Sequence, residues 1–362
     1  MSLFRPDVER LAGYVPGEQP QESGWVKLNT NENPYSPSPS VLEAVHAAAS
    51  GRLNVYPDPL ASAYRKAVAD VAGVDPACVL PANGSDENLT ILLRSFVDAG
   101  ELVAYPYPSY ILYETLAEIQ GARFERIHLR SDWSWDWDAA IAVAQRAKIV
   151  FVPNPNSPSG NRWTSDELLR LMPANGVLVI DEAYGDFCDE PASCELLDSD
   201  VGDRIVYTRT LSKSYSLAGI RSGFAIARPE LIDGMRKVKD SYNCNSLTLA
   251  AGLAAIEDQD WMKSNTQHIR QTRERLTQEL RAIGFDVVPS QANFVWATCD
   301  SSDSKIRRTH AEIFEELKQR RILIRYMKFD APDSTIDGLR ITIGTDEEVD
   351  MFLNAIREIV VA

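Results

Sequence analysis

The sequence predicts an α/β protein: a large domain on a mostly parallel sheet, followed by a smaller α+β domain. Three observations carry that expectation. Short β-branched runs recur through the first two-thirds of the 362 residues. Most are continuously apolar rather than alternating, as in strands covered on both faces. Helix-like stretches lie between several of them. After about Tyr242 the rhythm changes to a long helical segment and then a few strands and helices.

Taken in order, residues 1–40 hold many Pro, Asn, Ser and Gly and read as an ordered arm. The large domain is expected over 41–245. Residues 86–97 carry Leu89, Leu92, Leu93, Phe96 and Val97 on one helical face. Apolar strands are expected at 102–105, 148–152, 177–180, 204–208 and 223–227. A helix over 164–171 opens with the capping box Thr164-Ser165-Asp166-Glu167. The segment Trp133-Ser134-Trp135-Asp136-Trp137 reads as a loop and suggests no function. The smaller domain, 246–362, begins with one long helix over 247–283 that stops at Gly284. A strand at 294–297, a helix at 309–320, a strand at 339–343 and a helix at 347–359 complete it.

Composition narrows the function. Apolar residues make up 44% and charged residues 25%, and the formal net charge is −15. Such an acidic chain is a poor partner for nucleic acid or an anionic membrane. No apolar run approaches the length of a membrane span, and residues 1–20 lack the apolar core of a signal peptide. Cys78, Cys188, Cys194, Cys244 and Cys299 are scattered, with no Cys-x-x-Cys pair. A reducing cytoplasm fits them, and neither a disulfide framework nor a zinc site is expected. His46, His128, His268 and His310 are equally dispersed, so no histidine metal site is expected.

The central chemical clue is Thr210-Leu211-Ser212-Lys213-Ser214-Tyr215, directly after an expected strand. A lone lysine is ordinarily a solvated side chain, but Lys213 lies between two apolar segments. A buried lysine has a lowered pKa and can form a Schiff base. Asp181 ends an expected buried strand, where open α/β sheets bind ligands; a turn or helix cap is the plain alternative. Asn154-Pro155-Asn156-Ser157-Pro158-Ser159-Gly160 follows another strand, and an ordinary Pro/Asn loop would look the same. Asn83-Gly84-Ser85-Asp86-Glu87 opens a helix, either as a simple N-cap or as a phosphate site.

In this order, Gly-Ser-Asp, Asn-x-Pro-x-Gly, Asp-x-x-Tyr, Ser-Lys and Arg resemble the fold type I aminotransferases that use pyridoxal 5′-phosphate. Within them the chain is most similar to the histidinol-phosphate aminotransferases. The resemblance runs from Leu28-Asn29-Thr30-Asn31-Glu32-Asn33-Pro34-Tyr35 to Leu339-Arg340-Ile341-Thr342-Ile343-Gly344-Thr345. It implies a homodimer that moves an amino group from L-histidinol phosphate to 2-oxoglutarate in histidine biosynthesis.

The resemblance also implies residue roles. Lys213 would hold the cofactor covalently and shuttle the substrate proton. Asp181 would pair with the pyridine nitrogen and keep it protonated. Tyr184 would donate to the ring 3′-oxygen. Gly84, Ser85, Asp86, Ser212 and Arg221 would cradle the phosphate, and Tyr110 would stack on the ring or simply pack in the core. The family commonly has Asn where this chain has Ser157, so Asn156 is the expected contact to the 3′-oxygen, with Ser157 the alternative. Tyr56 would reach the partner subunit's cofactor phosphate, unless it packs locally. Tyr14, Arg325 and Arg340 would bind the substrate's phosphate or carboxylate. A broad-specificity aromatic aminotransferase and a lyase resembling threonine-phosphate decarboxylase share this pattern. A cofactor-binding transcription regulator would need an additional basic segment.

Overall fold

The computed structural model describes residues 2–11, 17–190, 193–299, 306–330 and 335–361. Its strands are β1 (Val26–Lys27), β2 (Val79–Ala82), β3 (Leu102–Tyr107), β4 (Arg123–His128), β5 (Ile149–Pro153), β6 (Val177–Asp181) and β7 (Ile205–Thr210). They continue as β8 (Gly223–Ala227), β9 (Asp286–Val287), β10 (Phe294–Thr298), β11 (Ile322–Leu323), β12 (Arg325–Asp330) and β13 (Thr335–Thr342).

Seven strands form the large sheet in the order β2-β8-β7-β6-β5-β3-β4. Strands β4, β3, β5, β6 and β7 pair in parallel. β8 runs antiparallel to both of its neighbours, so β2 points the same way as β7. The apolar runs are explained by two-sided burial. Val150, Val152, Leu178 and Ile180 face one core with Tyr64, Val68, Leu168 and Ala251. Phe151, Val177, Val179 and Val206 face the other with Leu89, Leu92, Tyr113 and Ile232. Alternate side chains of one strand thus bind a different helical layer on each face.

A second sheet, β12-β13-β10-β9, carries its own core. Val295, Ala297, Leu339 and Ile341 pack there on Ile269, Leu276, Leu317, Phe352 and Ile356. The arm joins this unit because β1 pairs in parallel with β11, seating Val26 and Leu28 in the same core.

Three sequence expectations change. The helix expected over 247–283 is two helices, Ser246–Glu257 and Gln259–Ile283. Asp258 breaks it, because its carboxylate accepts from Trp261 N and caps the second helix. The tryptophan segment is not a plain loop. Trp135 bridges to Leu129, and Trp137 starts a helix, Trp137–Ala144. Trp133 meets Trp296 of β10 edge-on at 5.6 Å, joining the two sheets through their side chains. Two strands of the large sheet were not expected: β2 is buried but only four residues long with Pro81 inside it, and β4 is largely part-exposed. The capping box at Thr164 and the helix stop at Gly284 form as read.

Gly223 fits where no larger residue does. A Cβ there would lie 2.7 Å from Arg209 O, Gly84 C and Ser85 N, all of them backbone atoms. Gly223→Ala should therefore push the Ser85–Phe96 helix off the sheet. The expected cost is about 1–3 kcal/mol, as for other overpacked sites, read as a lower melting temperature with helix content retained. An unchanged melt would contradict this tight contact.

Candidate active site

Loops leaving the C-terminal ends of β2, β3, β5, β6 and β7 surround a cavity of about 520 Å³. This is the edge where open α/β sheets gather ligand-binding groups. β12 and β13 of the second sheet supply the far wall, through Arg325, Met327, Phe329 and Arg340.

Lys213 stands at the centre. β7 ends at Thr210, and the chain turns over the sheet edge through Ser212 and Lys213. The amine donates to Thr30 O at 3.0 Å. Burial, followed by the nearby Arg340 guanidinium, lowers its pKa to about 8.

Asp181 is the last residue of β6 and only 4% exposed. Tyr113 Oη donates to its Oδ2 at 2.7 Å and Thr208 Oγ1 to its Oδ1 at 3.1 Å. Burial still pushes its pKa up to about 6. Tyr113 is itself buried and stacked on Phe151 at 4.8 Å. Its pKa lies well above the ordinary tyrosine value because of burial and the adjacent carboxylate. Tyr184 sits edge-on to Phe294 at 5.0 Å, and its hydroxyl accepts from Asn31 Nδ2 at 2.9 Å. Burial raises its pKa, opposed by Arg340 and by the Asn31 hydrogen bond.

An anion cradle forms one end. Ser85 begins a helix of 12 residues, Ser85–Phe96, after Gly84 at φ +81°. Ser85, Asp86, Ser212 and Arg221 line the cavity there. Arg221 Nη1 donates to Ser212 Oγ at 3.2 Å, and Nη2 lies 3.6 Å from Asp86 Oδ2. A Cβ on Gly84 would lie 2.7 Å from Arg221 Nη2, so glycine lets the guanidinium close on the helix N-terminus. Helix N–H groups, two hydroxyls and a fixed cation suit a phosphate. Tyr110 also lines the cavity and donates to Asp86 Oδ1 at 3.3 Å.

The other end is cationic as well. The β12–β13 register sets Arg325 directly opposite Arg340, so both lie on one face of the sheet. Two cations side by side repel each other and invite an anion. Arg340 Nη2 donates to Asn29 O at 2.9 Å and Nη1 to Ser157 Oγ at 3.1 Å.

The loop after β5 departs from expectation. Ser157 lines the cavity and Asn156 does not. The Asn156 amide donates to Ser159 Oγ at 2.8 Å and to Pro108 O at 3.3 Å, stitching the loop together instead. Tyr56 is 76% exposed and stacks on Tyr242 at 4.3 Å, away from its own chain's cavity. Tyr14 lies outside the described residues. Sequence reading missed Thr30, Asn31, Tyr113, Thr208, Met327 and Phe329. Tyr113 looked like any apolar helix residue, whereas the polar run from Asn29 to Asn33 was a usable signal.

The donor set fits one kind of group: an anion-tailed planar ring with a protonated ring nitrogen at Asp181 and a carbonyl within reach of Lys213. A second anion would lie between Arg325 and Arg340.

Comparisons with known proteins agree. Residues 23–356 match the family described as aminotransferase class I and II. Histidinol-phosphate aminotransferase of Rhodopirellula baltica is 49% identical over 350 residues, covering 96% of this chain and 93% of that one. The enzyme of the same name from Synechocystis is 44% identical, covering 98% of each chain. The crystal structure of histidinol-phosphate aminotransferase from Sinorhizobium meliloti in complex with pyridoxal-5′-phosphate superposes with a TM-score of 0.86 at 28% identity. It covers 99% of this chain and 98% of that one.

Ligand-free protein gives a direct test of the Lys213 environment. Acetylation at Lys213, followed by mass spectrometry, should rise with a midpoint near pH 8, below that of surface lysines. Arg340→Leu should raise that midpoint, because losing a nearby cation favours the ammonium form. A midpoint like that of the surface lysines would refute the assignment.

Proposed function

The chain belongs to the class I and II aminotransferases, and from that premise we propose that it transfers an amino group from L-histidinol phosphate to 2-oxoglutarate, in histidine biosynthesis. The observation that carries the reading is one cavity with a lysine amine between an anion cradle and a pair of arginines. The cofactor is pyridoxal 5′-phosphate. When bound, it supplies an electron-accepting ring that makes a proton on the amino donor's carbon labile.

The chain's own residues do the rest. The cradle of Gly84, Ser85, Asp86, Ser212 and Arg221 holds the phosphate. Asp181, anchored by Tyr113 and Thr208, presents a carboxylate to the pyridine nitrogen. Tyr184 and Ser157, which line the cavity, would bond the 3′-oxygen, with Ser157 taking the place expected of Asn156. Tyr110 would cover the ring. Lys213 would hold the cofactor covalently, and its amine would take the proton from the donor's Cα. With a pKa of about 8 it keeps an unprotonated fraction near neutral pH. Arg325 and Arg340 hold the phosphate of one substrate and a carboxylate of the other in turn. Tyr14 is assigned to the same anion on resemblance alone.

The proposal extends to a cytoplasmic homodimer with shared sites, in which exposed Tyr56 reaches the partner's cofactor phosphate. The exposed apolar residues Leu53, Val55, Leu60 and Tyr242 around it support this. The five free cysteines suit a reducing compartment. Among the described residues no helix is long and apolar enough to cross a membrane. The same reading divides the chain into an arm (1–40), a cofactor domain and a smaller domain; the boundary expected at 245/246 moves to about Asp258, because the Ser246–Glu257 helix packs Ala251, Ala255 and Ile256 into the core of the large sheet.

A panel of amino donors with 2-oxoglutarate tests the activity. L-Histidinol phosphate should be the best donor, without CO2 release. A preference for unphosphorylated aromatic amino acids, or CO2 release, would replace the reading with an aromatic aminotransferase or a lyase. Lys213→Ala should abolish turnover. Arg325→Ala should cost the phosphorylated donor about tenfold to a hundredfold more than an aromatic amino acid, the worth of one charge-assisted contact. Equal losses would remove Arg325 from phosphate binding. Sedimentation at the mass of one chain would end the shared-site proposal.

A further inference from the structure

Asn31 is 1% exposed and holds the left-handed backbone conformation, φ +56°. Its polar groups are all engaged. Its N–H donates to Thr342 Oγ1 at 3.0 Å, and its carbonyl accepts from Asn293 Nδ2 at 3.0 Å. Its side-chain Oδ1 lies 3.0 Å from Thr342 Oγ1, and Nδ2 lies 2.9 Å from the Tyr184 hydroxyl.

The directions of these bonds follow from one fixed donor. A backbone N–H only donates, so the Thr342 oxygen accepts from it. The Thr342 proton is then left for Asn31 Oδ1. With the amide reversed, Thr342 would accept twice and its buried proton would lack an acceptor among the described residues, so Oδ1 faces Thr342 and Nδ2 faces Tyr184, donating to it. The Tyr184 oxygen is thereby an acceptor on the Asn31 side, and its own proton must point elsewhere. Thr342 is 3% exposed and lies two residues beyond Arg340 on β13, on the same face.

We propose that Asn31 and Thr342 are positioning residues that turn the Tyr184 hydroxyl proton into the cavity, making Tyr184 a donor to the cofactor's 3′-oxygen. The proposal rests on the reading of this cavity as a pyridoxal 5′-phosphate site. Two charged groups face Tyr184: Arg340 favours negative charge on the phenol oxygen, and Asp181 opposes it. Neither dictates where the proton points. The amide does.

The test is a pH titration of the bound cofactor's visible absorbance in the holoenzyme, with the cofactor dissociation constant followed alongside. A donor to the 3′-oxygen stabilises the unprotonated chromophore, so losing it raises the midpoint. Tyr184→Phe should raise it by about one pH unit, a tenfold change in the protonation equilibrium. Asn31→Asp places an acceptor opposite Tyr184, draws the proton away and should give a rise of similar size. Combined with Tyr184→Phe it should add nothing. Thr342→Val should raise the midpoint while Thr342→Ser keeps it at the wild-type value. A role in folding alone would not separate those two. Wild-type midpoints in both Asn31→Asp and Thr342→Val would overturn the proposal. If Asn31→Asp does not fold, the Thr342 pair decides, and equal midpoints overturn it. A wild-type midpoint in Tyr184→Phe would instead remove Tyr184 from the cofactor, and failure to take up cofactor would remove the parent reading. Either takes this proposal with it.

Discussion

A half-buried amine holds this structure to its purpose. Lysine prefers solvent, and Lys213 is drawn from it by the turn that follows β7, with a peptide carbonyl, Thr30 O, as hydrogen-bond partner. Desolvation and the Arg340 charge both weaken its hold on a proton. Each needs the protein around it to be rigid. The two-sided apolar sheet supplies the fixed platform on one side, and β13 fixes Arg340 on the other. The same low-dielectric surroundings hold Asp181 near a pKa of 6 when it stands alone, so a cationic partner there gains strongly from the carboxylate.

Between the sheets runs the segment from Asn29 to Asn33, which belongs to neither. Asn29 O holds Arg340, Thr30 O holds Lys213 and Asn31 holds Tyr184. Asn33 Nδ2 donates to Lys213 O at 3.0 Å. Four of these five consecutive residues thus tie together groups from the turn after β7, from β13 and from the loop after β6. Trp133 and Trp296 bind the same two sheets at another point through apolar contact. One link sets chemistry and the other sets distance, which explains how a site shared by two sheets keeps its geometry.

The fold was legible wherever burial on both faces wrote itself as an unbroken apolar run, as at β5, β6 and β8. It was illegible at half-exposed β4, and at Asp258, where one carboxylate outweighed a continuous helical pattern. The site was legible where chemistry demands an unusual residue in an apolar setting, as with Lys213 and Asp181. Asn156 misled, because an amide in a loop suits a ligand or the loop itself, and only the fold chooses. Tyr113 was hidden for the opposite reason. Its ring belongs to the core, and its one hydroxyl reaches Asp181 across sixty-eight positions of sequence.

The pairing of β1 with β11 sets Val26 beside Ile322. A chain is made from its N-terminus, so the arm waits through nearly the whole of synthesis for the strand that receives it. The large sheet closes much earlier, once β8 has slotted between β2 and β7. The cradle and the lysine are carried by segments made well before β11, the strand that seats Asn29 to Asn33 over them. The connectivity thus leaves the seat of this strap to the last part of the chain to be made.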